Sequence, residues 1–111
     1  MSKLMAFSAP IVPGKTEQWK KFISDLKTTH NKDFTDSRKN LNVRERTYLQ
    51  QTPMGDVVVV TLEGDDPAAA FANSNNTFSE WFVKEVNEIH GFNLKDMAKM
   101  QMPELLIDSN G

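Results

Sequence analysis

The sequence predicts an α+β fold in which helices cover one face of a single antiparallel sheet. Segments with the apolar or alternating character of strands occupy residues 3–9, 41–50, 57–62 and 104–108. Apolar residues with helical periodicity fill the intervals after the first and third of these segments. The chain has 111 residues, 39% of them hydrophobic and 25% charged, which fits one globular domain over residues 1–111.

Residues 3–9 predict the first strand. Their apolar side chains occupy both alternating faces, which is typical of a central strand covered on both sides. The stretch from residue 4 to residue 12 also imitates a short signal peptide. Because Ser8 and Pro10 interrupt it and a charged amphipathic segment follows directly, we favour a buried strand over a signal.

A helix is predicted from residue 13 onward, because apolar residues recur at positions i, i+3, i+4 and i+7. These residues are Trp19, Phe22, Ile23 and Leu26. Steps of four residues extend the same stripe to His30 and Phe34. We therefore expect the helix to continue toward Asn40, with room for a break.

Two strands joined by a short turn are predicted next. Residues 41–50 alternate in character, with Leu41, Val43 and Leu49 on one side and Arg44, Arg46 and Tyr48 on the other. This pattern indicates an edge strand with one polar face. A turn at residues 52–56 leads to residues 57–62, whose β-branched run has no polar face and indicates a central strand.

Two more helices are predicted from their terminal signals. Asp66 is the expected N-cap of a short helix that begins at Pro67. A longer helix begins at a capping box formed by Thr77 and Glu80, whose side chains satisfy each other's backbone donors. Gly91 fits the left-handed position that follows the end of this helix.

The last part of the chain completes the predicted sheet. Residues 93–102 predict a loop or a single helical turn, and residues 104–108 predict a short edge strand. The order is then β-α-β-β-α-β, the split βαβ or ferredoxin-like arrangement, with residues 3–9 and 57–62 at the centre. Right-handed crossovers place both main helices on one face. The other face, with Phe7 or its neighbours and alternate valines, is apolar and open, which predicts a homodimer through this face.

This arrangement resembles the dimeric α+β-barrel superfamily, in which two such sheets pack face to face. The likeness extends over the whole chain, and one family of the superfamily is similar in four short blocks: Asp65-Asp66-Pro67, Trp81-Phe82, Glu85, and Ile89 to Leu94. Members of the superfamily include small antibiotic-biosynthesis monooxygenases, haem-degrading monooxygenases and muconolactone-isomerase-like proteins. The resemblance implies a barrel-forming homodimer and, by analogy, cofactor-independent oxidation or isomerisation of an aromatic or polyketide-like compound.

His90 is the candidate catalytic residue, and two interpretations apply to it. In the first, a partly protonated imidazole in the last turn of a helix gains about 0.3 to 1 kcal/mol from the helix dipole and has no chemical role. In the second, His90 is a general base or a ligand contact beside Trp81, about two and a half turns upstream. Haem-degrading relatives hold iron with a helix histidine and add a Trp and a first-strand Asn. Because residues 3–9 contain no Asn, haem binding is the weaker alternative.

Four further residues are candidate ligand contacts. Phe78 and Trp81 belong to a set of aromatic residues that could line a pocket between the helices and the sheet, although such sets are more often core. Arg46 and Tyr48 could orient an anionic or phenolic ligand at the rim of that pocket. The alternative is an edge strand that uses charge to prevent aggregation. An adaptable flap over the pocket could be formed by Met97, Met100 and Met102.

The composition disfavours several classes of function. The chain has no Cys, which excludes thiolate catalysis and Cys-ligated zinc, and its 2 His show no metal-ligand spacing. Its 5 Gly form no phosphate-binding loop, and a formal net charge of −2 disfavours non-specific nucleic-acid binding. No apolar run reaches the roughly 20 residues that a spanning helix needs. We therefore expect no cofactor, no metal, no nucleic acid and no membrane.

The leading functional hypothesis is a cytoplasmic homodimer that binds a small apolar or aromatic molecule. It would act as a cofactor-independent monooxygenase or isomerase, with His90 as the acid/base and with Arg46 and Tyr48 orienting the ligand. This chemistry depends on fold analogy. The first alternative is a non-catalytic dimeric binding or stress-associated module. Another is electrostatic recognition of a partner through the more basic N-terminal half of the chain.

Overall fold

The computed structural model describes residues 3–72, 79–97 and 102–111. Its elements in chain order are β1 (Lys3–Pro10), α1 (Thr16–Lys27), α2 (Asn31–Asn40), β2 (Val43–Thr52), β3 (Gly55–Gly64), α3 (Pro67–Ala72), α4 (Glu80–His90) and α5 (Leu94–Met97). The predicted α+β class is confirmed. The predictions made for Phe78, Thr77 and Met100 lie outside the described residues.

The three strands form one antiparallel sheet in the order β1-β3-β2. β3 is central, as its β-branched sequence predicts, and it pairs with β1 on one side and with β2 on the other. The prediction that β1 is also central is wrong for the part of the chain that the structure describes. There, β1 is an edge strand, because no fourth strand pairs with its outer side.

The strand register divides the sheet into two faces, because opposite residues of paired strands share a face. The helix face carries the buried residues Ala9, Val58 and Leu62, and the helices pack on it. The other face, called the open face below, carries Leu4, Val57, Val59, Thr61 and Tyr48. Of the alternatives that the sequence left open, Phe7 or its neighbours, the neighbours Ala6 and Ser8 lie on the open face, and Phe7, which pairs with Val60, lies on the helix face.

Helices α1 and α2 follow the predicted stripe with the break that the sequence allowed. The stripe residues Trp19, Phe22 and Leu26 are buried against the sheet. The helix is interrupted after Lys27, where the N–H groups of Thr28 and His30 both donate to the Asp25 carbonyl at 3.2 and 2.8 Å. The chain therefore turns and starts again as α2 at Asn31.

The two later helices begin at side-chain caps. The Asp66 carboxylate accepts a hydrogen bond from the Ala69 N–H at 3.1 Å, which confirms Asp66 as the N-cap of α3. At the start of α4 the cap is Ser79, whose hydroxyl accepts from the Phe82 N–H at 3.1 Å. Ser79 is therefore the N-cap of α4, whereas Thr77 of the predicted capping box lies outside the described residues.

The end of α4 is fixed to the end of β1. Gly91 follows the helix with φ 70°, the left-handed conformation that was predicted for it. The Val12 N–H donates to the Ile89 carbonyl at 2.8 Å. A Cβ on Gly91 would lie 2.9 Å from the Val12 side chain, so a larger residue would not fit here without a shift of Val12. This junction sets the position of His90.

Residues 102–111 contain no strand, so the strand predicted over residues 104–108 is wrong. The three apolar side chains of this segment, Leu105, Leu106 and Ile107, are 75%, 84% and 86% exposed. The single helical turn predicted within residues 93–102 is present as α5. In the described parts of the chain, no helix is both long enough and apolar enough to cross a membrane.

Candidate functional site

An apolar cavity lies between the helix face of the sheet and helices α1 and α4. Its volume is about 100 Å³, and aliphatic and aromatic side chains form most of its lining. The polar exceptions are Arg38, Glu45, Thr47 and His90. An apolar cavity of about 150 Å³ is large enough for benzene. This cavity therefore suits a molecule of at most one small ring.

His90 lines this cavity and is held in one orientation by the end of β1. Its Nδ1 lies 2.8 Å from the Pro10 carbonyl oxygen, which can only accept, so Nδ1 carries the proton. Burial lowers the pKa of His90 below 6.5, and the bond to Pro10 opposes this with a smaller effect. The imidazole is therefore neutral near pH 7, and its Nε2 has a free lone pair that can accept a proton.

The environment of His90 bears on the two interpretations of this residue. The helix-dipole interpretation required a stabilised imidazolium, whereas burial favours the neutral ring. The nearby ring is Phe92, whose centroid is 5.5 Å from that of His90. A neutral imidazole with one nitrogen fixed by a carbonyl and one free is the arrangement of a general base.

A nearly buried ion pair forms another part of the cavity lining. Arg38 Nε donates to Glu45 Oε1 at 2.7 Å, and these side chains are only 11% and 13% exposed. The Thr47 hydroxyl donates to the other carboxylate oxygen of Glu45 at 2.7 Å. The Arg38 guanidinium lies over the ring of Phe34 at 4.6 Å. These contacts hold both charges in place, and each carboxylate oxygen of Glu45 accepts a hydrogen bond, one from Arg38 and one from Thr47.

The strand register separates His90 from this ion pair. Pro10, which holds His90, pairs with Val57, whereas Glu45 pairs with Leu62 five residues further along β3. At about 3.3 Å per residue, the two polar groups are roughly 17 Å apart along the strand. A one-ring ligand next to His90 therefore does not reach the ion pair. The role of the ion pair is to fix the shape of the cavity and to stabilise its wall.

Trp81 lies in a different place from His90. Its ring stacks on His30 with centroids 3.7 Å apart and planes 9° from parallel. The two rings line a more open and more polar groove of about 450 Å³, together with residues of α2 that include Asp33 and Asp36. The predicted pairing of Trp81 with His90 is therefore replaced by a pairing of Trp81 with His30.

The remaining predicted ligand contacts lie outside the cavity or outside the described residues. Arg46 and Tyr48 are on the open face, because their neighbours Glu45 and Thr47 face the helices. Arg46 donates to Glu63 across the sheet at 3.2 Å. Phe78 lies outside the described residues. Of the predicted site residues, the structure places His90 alone in the lining of the apolar cavity, within the described part of the chain.

The sequence argument missed Arg38 and Glu45, although a signal for Glu45 is present. Glu45 stands between Arg44 and Arg46, so alternation places it on the apolar side of the strand with Val43. A carboxylate on a buried face needs a partner. Alternation sends Arg44 to the other face of the strand, so the nearest Arg before β2 is Arg38, which the short turn after α2 brings close to Glu45.

The site does not fit haem, and no metal site is visible. A volume of about 100 Å³ holds only a few water molecules, at roughly 30 Å³ each, so a porphyrin does not fit in the cavity. The Trp and His of the haem pattern are also apart, since Trp81 stacks on His30. Within residues 3–72, 79–97 and 102–111, no group of three His, Asp or Glu side chains is arranged to hold a metal ion.

Comparisons with known proteins give no relative from which a function could be transferred. Neither a family model, nor a curated protein, nor a solved structure matches the chain. The functional argument therefore depends on the cavity and its residues.

Proposed function

We propose that this protein is a homodimeric small-molecule-binding protein in which His90 acts as an acid/base on a small apolar or aromatic compound. The reaction would be a cofactor-independent isomerisation or monooxygenation, and the proposed location is the cytoplasm, which a Cys-free chain tolerates. The observation that carries the proposal is the position of His90, whose imidazole is anchored through Nδ1 to the Pro10 carbonyl and lines a mostly apolar cavity.

With one neutral base at the site, the first step of the reaction is removal of a proton from the bound compound. Nε2 can accept the proton of a phenol, or the proton of a carbon next to a carbonyl, and it then holds this proton as an imidazolium. Return of the proton to another carbon completes an isomerisation with no other reactant. In a monooxygenation, the deprotonated compound reacts with O₂, so that a CH₂ group becomes a carbonyl group. One oxygen atom stays in the compound and the other leaves as water, with the electrons and both hydrogens supplied by the CH₂ group itself. The apolar lining favours the compound over water at this position.

Binding can be tested with a pair of one-ring probes, phenol and toluene, by isothermal titration calorimetry. We expect His90→Asn to weaken phenol binding by about fivefold to tenfold, because it removes one hydrogen bond of about 1 kcal/mol. Toluene has no hydroxyl group, so its affinity should stay within about twofold of the wild type. The Asn side chain can still donate to Pro10, so the end of α4 stays anchored.

The matched control is His30→Asn, which replaces the other histidine, outside the cavity lining. It should leave the affinity for both probes unchanged. If His90→Asn weakened phenol and toluene equally, His90 would serve only the shape of the cavity. If neither probe bound to the wild type at millimolar concentration, the cavity would not be a binding site for such rings.

Acid/base activity can be measured separately with cyclopentanone in D₂O. His90 would remove a proton from the carbon next to the carbonyl and return a deuteron. Proton NMR detects this exchange as a loss of the signal from the protons next to the carbonyl. General base catalysis contributes roughly 10²- to 10⁴-fold, so we expect wild-type protein to exchange the ketone at least about tenfold faster than His90→Asn. Equal exchange rates, together with phenol binding, would instead favour the non-catalytic binding module.

A further inference from the structure

We infer that the C-terminal segment of one subunit, residues 104–108, pairs as a fourth strand with the outer edge of β1 in a second copy of the chain. This inference adds a specific contact to the homodimer of the proposed function, but it needs neither the ligand nor the activity of His90. Two features support the inference: the exposed apolar side chains of the segment and the outward-pointing backbone groups of β1.

The first surface is the C-terminal segment itself. Its residues are Glu104, Leu105, Leu106, Ile107 and Asp108. The three apolar side chains are between 75% and 86% exposed in this structure, which is unusual for adjacent large apolar residues in a folded domain. The segment has the length and composition of a short strand, with an acidic residue at each end, and it pairs with none of the strands in the described part of the chain.

The second surface is the backbone edge of β1. The Ile11 N–H donates at 2.9 Å to the carbonyl of Asp56, the residue opposite it when the register is continued by one pair, so the N–H of Ile11 points toward β3. In an antiparallel ladder residues that point toward the partner strand alternate with residues that point away, and therefore Ala9, Phe7 and Met5 bond to β3. The backbone groups of Leu4, Ala6 and Ser8 then point outward, where the described residues supply no strand. An open edge of this kind can accept an added strand.

Charge and symmetry favour a second copy as the occupant. Lys3 is the one charged residue of β1 and it is exposed, whereas the segment has an acidic residue at either end. An antiparallel alignment brings Asp108 toward Lys3. The segment lies unpaired in its own chain, and the exchange of identical segments about a twofold axis satisfies both edges and both segments at once. Such an exchange is compatible with contact between the open faces.

The absence of native Cys allows a direct test by disulfide formation between chains. An Ala6→Cys chain and a Leu106→Cys chain are mixed in denaturant, refolded together, oxidised and separated on a non-reducing gel. We expect a covalent heterodimer, identified by mass spectrometry of the linked peptides. Its yield should exceed by roughly fivefold or more that from a Ser24→Cys chain on the outer side of α1, because paired strands give a high effective concentration. A Ser8→Cys chain, tested in the same way, covers the neighbouring register.

The remaining outcomes each have a defined meaning. A chain carrying both Ala6→Cys and Leu106→Cys that closes its disulfide only within one molecule would overturn the inference in favour of pairing within the chain. Lack of a specific heterodimer with both the Ala6→Cys and the Ser8→Cys chains would also overturn it. If the native mass of the same samples still showed a dimer, the homodimer of the proposed function would stand. A native mass of a single chain would reject the homodimer as well.

Discussion

At His90, one side chain shows how burial and hydrogen bonding together decide a chemical role. The Pro10 carbonyl fixes which ring nitrogen carries the proton, and burial makes the neutral form dominant near pH 7. The position in the last helical turn was visible in the sequence, but the sign of the pKa shift was not. That sign depends on the burial of the ring in the folded chain, which outweighs the opposing effect of the bond to Pro10, 80 residues away in the sequence.

The lowered pKa of His90 predicts that acid weakens the folded state. In the unfolded chain the pKa is near 6.5, so between this value and the lower folded pKa the unfolded state binds more protons. The free energy of unfolding should therefore decrease as the pH falls through about 6.5, and level off with respect to this group below the folded pKa. Urea denaturation between about pH 5 and pH 8 measures the slope, and His90→Asn should reduce it. Equal slopes for the two proteins would contradict the assignment of the shift to His90.

The ion pair between Arg38 and Glu45 predicts a large and non-additive effect on stability. Arg38→Met should lower the free energy of unfolding by about 3 kcal/mol, because it leaves a nearly buried carboxylate without its cation. Glu45→Gln in the same background should recover at least about half of this loss, since it removes the uncompensated charge. A double-mutant cycle by urea denaturation gives the coupling. Additive losses would show that the two side chains contribute independently.

At the scale of elements, local sequence signals were sufficient where both partners of a contact lie close in the chain. The hairpin of β2 and β3, the cap at Asp66 and the glycine after α4 were all predicted correctly. The stacking of Trp81 on His30 was not predicted. A helical periodicity indicates which face of a helix is apolar, but it does not indicate which residue of another helix packs against that face. Residues 104–108 have the pattern of a strand, but such a pattern does not indicate whether the strand pairs within its own chain or with a strand of a second copy.

The junction of α4 with β1 predicts different costs for two glycine substitutions. Gly91→Ala should lower the free energy of unfolding by about 1 to 2 kcal/mol, because alanine is strained in the left-handed backbone conformation. A further loss is expected because the Cβ of the new alanine would lie 2.9 Å from the Val12 side chain. Gly14 also has a positive φ, 87°, but its Cβ would meet nothing within 4 Å. Gly14→Ala therefore serves as the control for backbone strain alone. If thermal or urea denaturation gave equal losses for both variants, close packing at this junction would not contribute.

At the scale of the whole molecule, the helices of the described residues all pack on one face of the sheet. The open face presents Val57, Val59 and Thr61 on the central strand, flanked by Leu4 and Tyr48, which are 63% and 48% exposed. The ion pair of Arg46 with Glu63 lies on the same face. An apolar centre with a polar pair at one side is the composition of a contact surface between subunits. The sequence predicted an apolar open face with alternate valines, but it could not decide whether Phe7 or its neighbours lie on it.

If two open faces pack against each other, a charge at their centre should separate the subunits. The native mass of the wild type should be twice 12.6 kDa, and Val59→Lys should raise the dissociation constant by at least about tenfold. Val59 lies between Ser8 and Tyr48 in the register, so its side chain is at the middle of the face. Ser24→Lys adds the same charge on an exposed position of α1 and should leave the dissociation constant unchanged. Sedimentation equilibrium measures both variants. A Val59→Lys protein that dimerised as tightly as the Ser24→Lys protein would place the subunit contact elsewhere, and the edge of β1 would then be the remaining candidate.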